Sequence, residues 1–222
     1  MADQHAELSW REGAIPVSDR FDDPYFSLQN GLEETRHVFL AGNDLPQRFA
    51  PGFCIAELGF GTGLNMLAAW MAWENSGQST PLHFVSFEAF PMARDDMARA
   101  LQAFPVVAPW AERFLSVWTG PGCYDLETLR LEVIAGDARM SLPEWTGRAD
   151  AWFLDGFSPA KNPELWEASL MEQVARHTVS GGSAATYTAA GFVRRGLEDA
   201  GFEVTRIPGF GRKRHMTRAQ MP

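Results

Sequence analysis

The sequence predicts an α/β fold built on a mostly parallel sheet, with an antiparallel hairpin near its C-terminal end and an N-terminal extension. Three observations predict it. Short apolar runs alternate with helix-patterned stretches from residue 53 onward, and the first of these runs ends in a glycine cluster. Two late β-prone runs are joined too closely for a parallel crossover, which needs about a dozen residues or more. Strands alternating with helices imply a sheet covered on both faces.

Taken in order, residues 1–50 hold two turn clusters, Arg20-Phe21-Asp22-Asp23-Pro24 and Gln29-Asn30-Gly31, around short β-prone pieces. Leu32 to Leu40 follows with helical spacing. This stretch reads as an extension packed on a core at 51–222, the whole forming one structural unit. Phe53 to Leu58 is a strand, the glycines are a tight turn, and Leu64 to Trp73 is an apolar helix. Leu82 to Glu88 is the next strand, and Pro91 suits a first helical position before Met92 to Leu101. Leu131 to Ala135, Ala151 to Leu154 and Ser183 to Thr188 are three more strands. Phe202 to Ile207 and Lys213 to Arg218 close the fold around Pro208-Gly209-Phe210-Gly211. A parallel sheet finished by an antiparallel hairpin is the arrangement of class I (Rossmann-like) methyltransferases.

Composition sets bounds. The chain has 222 residues, 45% hydrophobic and 12% aromatic, with 19 basic and 28 acidic residues and a formal net charge of −9. That is enough chain for a real core, and the charge disfavours a general basic coat for nucleic acid. An RNA partner then needs a local basic patch. The start, Met1-Ala2-Asp3-Gln4-His5, has no basic or apolar leader pattern, and no apolar run approaches the roughly 18 residues of a membrane span. Cys54 and Cys123 form no CxxC pair. The expectation is a cytoplasmic protein without membrane attachment.

Glu57-Leu58-Gly59-Phe60-Gly61-Thr62-Gly63-Leu64-Asn65 is the most informative stretch. Glycines after a first strand let the backbone turn sharply and approach a ligand, and the helix that follows offers unpaired amides. The spacing is G-x-G-x-G rather than the dinucleotide G-x-G-x-x-G, and Glu57 before the turn suits a cationic amino-acid moiety better than a pyrophosphate. Both features favour S-adenosylmethionine over NAD, with Glu57, Gly59, Phe60, Gly61, Thr62, Gly63 and Asn65 as its contacts. Glu88 ends the next strand, where an acid accepts hydrogen bonds from ribose hydroxyls. An ordinary helix-start carboxylate is the alternative. Asp137 and Ala138 follow the third core strand, where they could read an adenine edge, and Asp137 as a plain N-cap is equally open.

The second strong feature is Leu154-Asp155-Gly156-Phe157-Ser158-Pro159-Ala160-Lys161-Asn162-Pro163, a buried strand that ends in a carboxylate and an irregular loop. Methyl transfer to an amine needs a free lone pair and a proton acceptor. Asp155 can orient the amine and take the proton, and Phe157 can pack on a flat base. The five histidines, His5, His37, His83, His177 and His215, form no ligand pair, so no metal is expected.

With these stretches in view, the chain resembles the methyltransferase half of the MnmC family, the tRNA 5-methylaminomethyl-2-thiouridine biosynthesis bifunctional proteins. The resemblance is carried by Asp23-Pro24-Tyr25-Phe26-Ser27, Asn30-Gly31-Leu32-Glu33-Glu34-Thr35, the glycine turn, the Asp155 loop through Trp166, and Gly211 to Met216. It implies S-adenosylmethionine-dependent methylation of the 5-aminomethyl group of 2-thiouridine at the tRNA wobble position. It also implies Asp155 beside the amine and Glu88 on the cofactor ribose. Asn30, Glu33, Ser158, Pro159, Lys161 and Asn162 would bind or close over the substrate. Arg212, Lys213 and Arg214 form the densest basic run and would meet phosphates of the anticodon arm. Members of that family continue into an FAD-dependent oxidase. No flavin fingerprint is present, so this chain is expected to hold no FAD and to depend on an oxidase that is separate or covalently linked. A small-molecule amine methyltransferase and, more remotely, an NAD-dependent oxidoreductase are the competing readings.

Overall fold

The computed structural model describes residues 5–13, 15–27 and 30–222. Met1–Gln4, read for a leader, and Gln29 of the second turn cluster lie outside them. Strands β1 (Leu8–Arg11), β2 (Ile15–Ser18) and β3 (Asp23–Pro24) form a small antiparallel sheet. Asn30 then caps α1 (Gly31–Thr35), its Oδ1 accepting the amide hydrogen of Glu33 at 3.1 Å. The helix predicted over Leu32 to Leu40 does not stay α-helical. From Arg36 to Leu40 it widens into a π turn, so that Val38, Phe39 and Leu40 are all buried.

The main sheet comprises β4 (Cys54–Leu58), β5 (Leu82–Glu88), β6 (Gly122–Leu126), β7 (Leu129–Ala135), β8 (Ala149–Leu154), β9 (Thr178–Thr186), β10 (Glu203–Pro208) and β11 (His215–Gln220). Their order is β10-β11-β9-β8-β4-β5-β7-β6. The inner five strands are parallel, and β6, β11 and β10 are antiparallel to their neighbours. The fold is therefore α/β with a mostly parallel sheet and an antiparallel C-terminal hairpin. The last strand begins two residues later than the predicted Lys213, which leaves Arg212, Lys213 and Arg214 in the turn instead of on a strand. A second hairpin, β6–β7, was not foreseen. β6 alternates half-buried and exposed residues and has no apolar run to announce it.

The helices are α2 (Leu64–Asn75), α3 (Arg94–Leu101), α4 (Ala108–Val117), α5 (Ala138–Ser141), α6 (Ala168–Arg176) and α7 (Gly191–Asp199). Helix α2 is buried almost all round, including Trp70 and Trp73, as expected of a helix apolar on every side. The sheet covers one side of it, and the aromatic residues Phe39 and Phe49 of the N-terminal segment join the same core. The opposite face of the sheet carries a second core with Trp152, Leu154, Leu170, Met171 and Val174. Burying one such side chain is worth about 1.5–3 kcal/mol. Strand parity divides the two cores: on β4, Ile55 faces the first, whereas Ala56 and Leu58 face the second. Among the described residues no helix is long and apolar enough to cross a membrane.

The chain order reverses at β4: it runs outward through β5 to β7, then returns to β8 on the other side. The crevice at the carboxyl ends of β5, β4 and β8 is where open α/β sheets bind ligands.

Candidate active site

The sheet ladder carries the backbone directly into this crevice. Gly59 N donates to Phe87 O at 2.9 Å, Asp155 N to Leu58 O at 3.2 Å, and Gly136 N to Glu88 O at 2.9 Å. The ends of four neighbouring strands therefore lie side by side around a cavity of about 1300 Å³. This exceeds the roughly 300–1,000 Å³ of a pocket for one drug-sized ligand and leaves room for a cofactor and an acceptor group together.

Of the residues singled out from the sequence, Gly59, Phe60, Gly61, Thr62, Asn65, Glu88, Asp137, Ala138, Asp155, Phe157, Ser158, Asn162, Arg212 and Lys213 meet on the cavity wall. Glu57, Gly63, Asn30, Glu33, Pro159, Lys161 and Arg214 are not part of it. Glu57 shares the parity of Ile55 and is fully buried beneath α2, where it accepts hydrogen bonds from Asn65 Nδ2 at 3.0 Å and Ser86 Oγ at 2.7 Å. Asn30 is engaged as the helix cap, Glu33 pairs with Arg36, and Lys161 pairs with Asp22 and Asp23.

The glycine turn is tightly fitted. A Cβ on Gly59 would lie 2.3 Å from the carbonyl oxygen of Asp155, and one on Gly61 would lie 3.1 Å from the ring of Tyr25. Gly63 opens α2 with φ 77° and no side-chain cap, leaving the first helical amides without a side-chain acceptor. Glu88 accepts from Gly61 N at 2.9 Å and Phe90 N at 2.7 Å, and burial raises its carboxyl above the ordinary range. Asp137 caps α5, and Arg139 binds it at 2.6 Å, holding its carboxyl below the usual range.

Asp155 sits at the centre. Its Oδ2 accepts a 2.6 Å hydrogen bond from Asn65 Nδ2, and burial pushes its carboxyl up to about 7. Asn65 Oδ1 in turn accepts from Thr35 Oγ1 at 2.7 Å. Phe157 stacks on Phe21 with centroids 4.8 Å apart and meets the edge of Tyr25 at 5.0 Å. Ser158 N donates to Asp23 Oδ2 at 2.8 Å. Lys213 closes the far wall, 2.7 Å from Glu34 and 3.9 Å from the Tyr187 ring centroid.

Tyr25, Glu34, Thr35 and Tyr187 were not singled out as contacts from sequence. The first three stand inside the Asp23 and Asn30 strings, where a signal existed. Tyr187 follows β9 without any motif. Its hydroxyl donates to Gly156 O at 2.7 Å.

Several features of the wall suit S-adenosylmethionine. The glycine turn leaves no space for a side chain at Gly59, the carboxylates of Glu88 and Asp137 can accept from hydroxyl and amino groups, and acids outnumber bases where a sulfonium must be held. Among the described residues, no three His, Cys, Asp or Glu side chains come together in a metal-holding group.

Comparison with known proteins agrees. The profile of an S-adenosyl-L-methionine-dependent methyltransferase family matches residues 104–222, more than half of the chain. The tRNA 5-methylaminomethyl-2-thiouridine biosynthesis bifunctional protein MnmC of Pseudomonas paraeruginosa is 48% identical over 96% of this chain and 34% of its own length. Its namesake from Stutzerimonas stutzeri is 47% identical over 98% of this chain and 35% of its own length. This chain thus spans about a third of the length of these relatives. A crystal structure of MNMC2 from Aquifex aeolicus matches with a TM-score of 0.75 at 26% identity, covering 100% of this chain and 72% of that one. Precorrin-6y C5,15-methyltransferase from Geobacter metallireducens shares the fold, with a TM-score of 0.53 at 13% identity over 96% of this chain and 98% of that one.

Proposed function

This chain belongs to the S-adenosyl-L-methionine-dependent methyltransferases, and from that premise we propose that it methylates the 5-aminomethyl group of 2-thiouridine at the tRNA wobble position. The product is 5-methylaminomethyl-2-thiouridine. The observation that carries the reading is Asp155, held by Asn65 at the end of β8 and opening onto the same cavity as the glycine turn.

The glycine turn, Glu88 and Asp137 hold the cofactor. When bound, it supplies an electrophilic methyl group on a sulfonium. Asp155 accepts a hydrogen bond from the acceptor amine, keeps its lone pair directed into the cavity and receives the proton that the nitrogen sheds. A carboxyl raised to about 7 can take that proton near neutral pH and return it to solvent. Phe157 supplies an apolar surface on the cavity wall for a base extruded from the anticodon loop. The relatives from Pseudomonas paraeruginosa and Stutzerimonas stutzeri support the substrate, since both are described as tRNA 5-methylaminomethyl-2-thiouridine biosynthesis proteins. They are also called bifunctional, in keeping with an FAD-dependent oxidase, separate or linked, that prepares the aminomethyl group. A tRNA substrate places the work in the cytoplasm.

The test is incubation with S-adenosylmethionine and tRNA carrying unmethylated aminomethyl-thiouridine, followed by nucleoside mass analysis. A gain of one methyl on that nucleoside is expected. Equal transfer to the free nucleoside would favour a small-molecule amine methyltransferase instead.

The basic side chains of the β10–β11 hairpin and its loop provide a second prediction. Arg218 is committed to Asp44 and Lys213 to Glu34, whereas Arg206, Arg212 and Arg214 are exposed with no ion-pair partner among the described residues. Replacing these three by glutamine is expected to weaken tRNA binding and flatten its log–log salt dependence by about 2–3, at roughly 0.7–0.9 per phosphate contact. Titration at three salt concentrations measures it, and an unchanged slope would remove the loop from the RNA interface.

A further inference from the structure

We infer that Thr35 is a positioning residue for methyl transfer, its hydroxyl fixing the orientation of the Asn65 amide and through it the geometry of Asp155. The inference rests on the reading of Asp155 given above. Thr35 lies at the end of α1, in the N-terminal segment, and is almost fully buried against α2. Its Oγ1 donates to Asn65 Oδ1 at 2.7 Å, which turns the two amide hydrogens toward carboxyl oxygens, Glu57 Oε1 at 3.0 Å and Asp155 Oδ2 at 2.6 Å.

Two orientations of that amide compete. Burial raises the Glu57 carboxyl well above its ordinary range, and its protonated form is a hydrogen-bond donor. An inverted Asn65 could then accept from Glu57 with its oxygen and swing its NH₂ away from Asp155. While Thr35 donates to that oxygen the inversion gains nothing, because the oxygen is already satisfied. Without the hydroxyl, Asn65 Oδ1 is left buried without a donor, so the amide is no longer held in one orientation and its hydrogen bond to Asp155 weakens. Asp155 then loses the N–H that favours its charged form. The charged and titratable groups facing Asp155 are Glu57 on β4, Glu34 on α1, Lys213 before β11 and Tyr187 after β9, and Glu88 on β5 also faces Glu57. Of these only Lys213 opposes the rise in its proton affinity.

The experiment compares Thr35→Val, which keeps shape without the hydroxyl, with Thr35→Ser, which keeps the hydroxyl. In Thr35→Val the acid limb of the kcat profile is expected to move up by about one pH unit, the scale of one hydrogen bond to a charged group. At pH 7 this gives a kcat about fivefold lower, with the cofactor Kd changed less than about twofold. Serine restores the parent profile. If valine is not accommodated, Thr35→Ala gives the same readout. A hydroxyl that served packing alone would lower the melting temperature and leave the pH profile in place, which overturns the inference. Asp155→Asn is run alongside. If it is crippled while Thr35→Val keeps the parent kcat and profile, this inference alone fails. If Asp155→Asn is as active as the parent, the proposed role of Asp155 falls and the inference falls with it.

Discussion

Asp155→Asn is expected to lower methyl transfer by about 10²–10⁴-fold, the usual worth of a positioned proton acceptor, while the cofactor still binds. The amide keeps the size of the carboxyl but cannot take a proton. The parent rate should rise through about pH 7 as the Asp155 carboxyl ionises, and that limb should be missing from the variant. Titration of the substrate amine remains in both profiles, so their ratio isolates Asp155. Stability gives an independent check with a definite sign. Burial raises the folded-state carboxyl from 3.8 to about 7. Its neutral form therefore favours the fold fully below about pH 4, and this contribution drains away as pH rises through 7. Asp155→Asn has no charge to bury. It should match the parent in melting temperature near pH 4 and exceed it at pH 8. Equal melting temperatures at both values would contradict the buried-carboxyl account.

Gly59→Ala is expected to abolish measurable cofactor binding and to destabilise the fold. Two penalties coincide there. The residue has φ 90°, strained for any side chain at about 1–3 kcal/mol, and the new Cβ would lie 2.3 Å from the Asp155 carbonyl oxygen. That oxygen is backbone and cannot swing aside, so the glycine turn or the Asp155 loop must move. Gly52 is the control: its φ is 82°, but nothing lies within 4 Å of a Cβ placed on it. Gly52→Ala should lose some stability and keep full cofactor affinity. Calorimetric titration with S-adenosylmethionine, with melting curves for both variants, separates strain from collision. Cofactor affinity in Gly59→Ala within twofold of the parent would refute the tight apposition.

What could be read from the chain divides along the range of the interactions. Strand β4, the glycine turn and α2 are contiguous, and their logic is local: an apolar run, residues free to take positive φ, then a buried helix. Glu88 and Asp155 were legible because each ends an apolar run. Glu57 was legible only as an acid near the turn; counting two residues on from Ile55 would have turned it away from the cavity and under α2. Helices α6 and α7 were legible only as helix-patterned stretches between strands, although their buried residues, Leu170, Met171 and Val174, then Val193 and Leu197, fall at helical spacing. Strand β6 and Tyr187 had no such signal. The roles of Thr35 and Glu34 are set by which segment folds over α2, and nothing within Gly31–Thr35 states that partner.

The sequence separations within this site carry a kinetic consequence. Thr35 reaches Asn65 across 30 positions, Asn65 reaches Asp155 across 90, and Glu34 reaches Lys213 across 179. Contacts of such high order close long loops and are gained late in folding. The N-terminal segment, docked on α2 through a few such contacts, can therefore detach while the sheet stays paired. In a rising series of urea concentrations, catalytic competence should fade before far-ultraviolet dichroism does, so turnover would report the docking of the first fifty residues rather than the survival of the sheet.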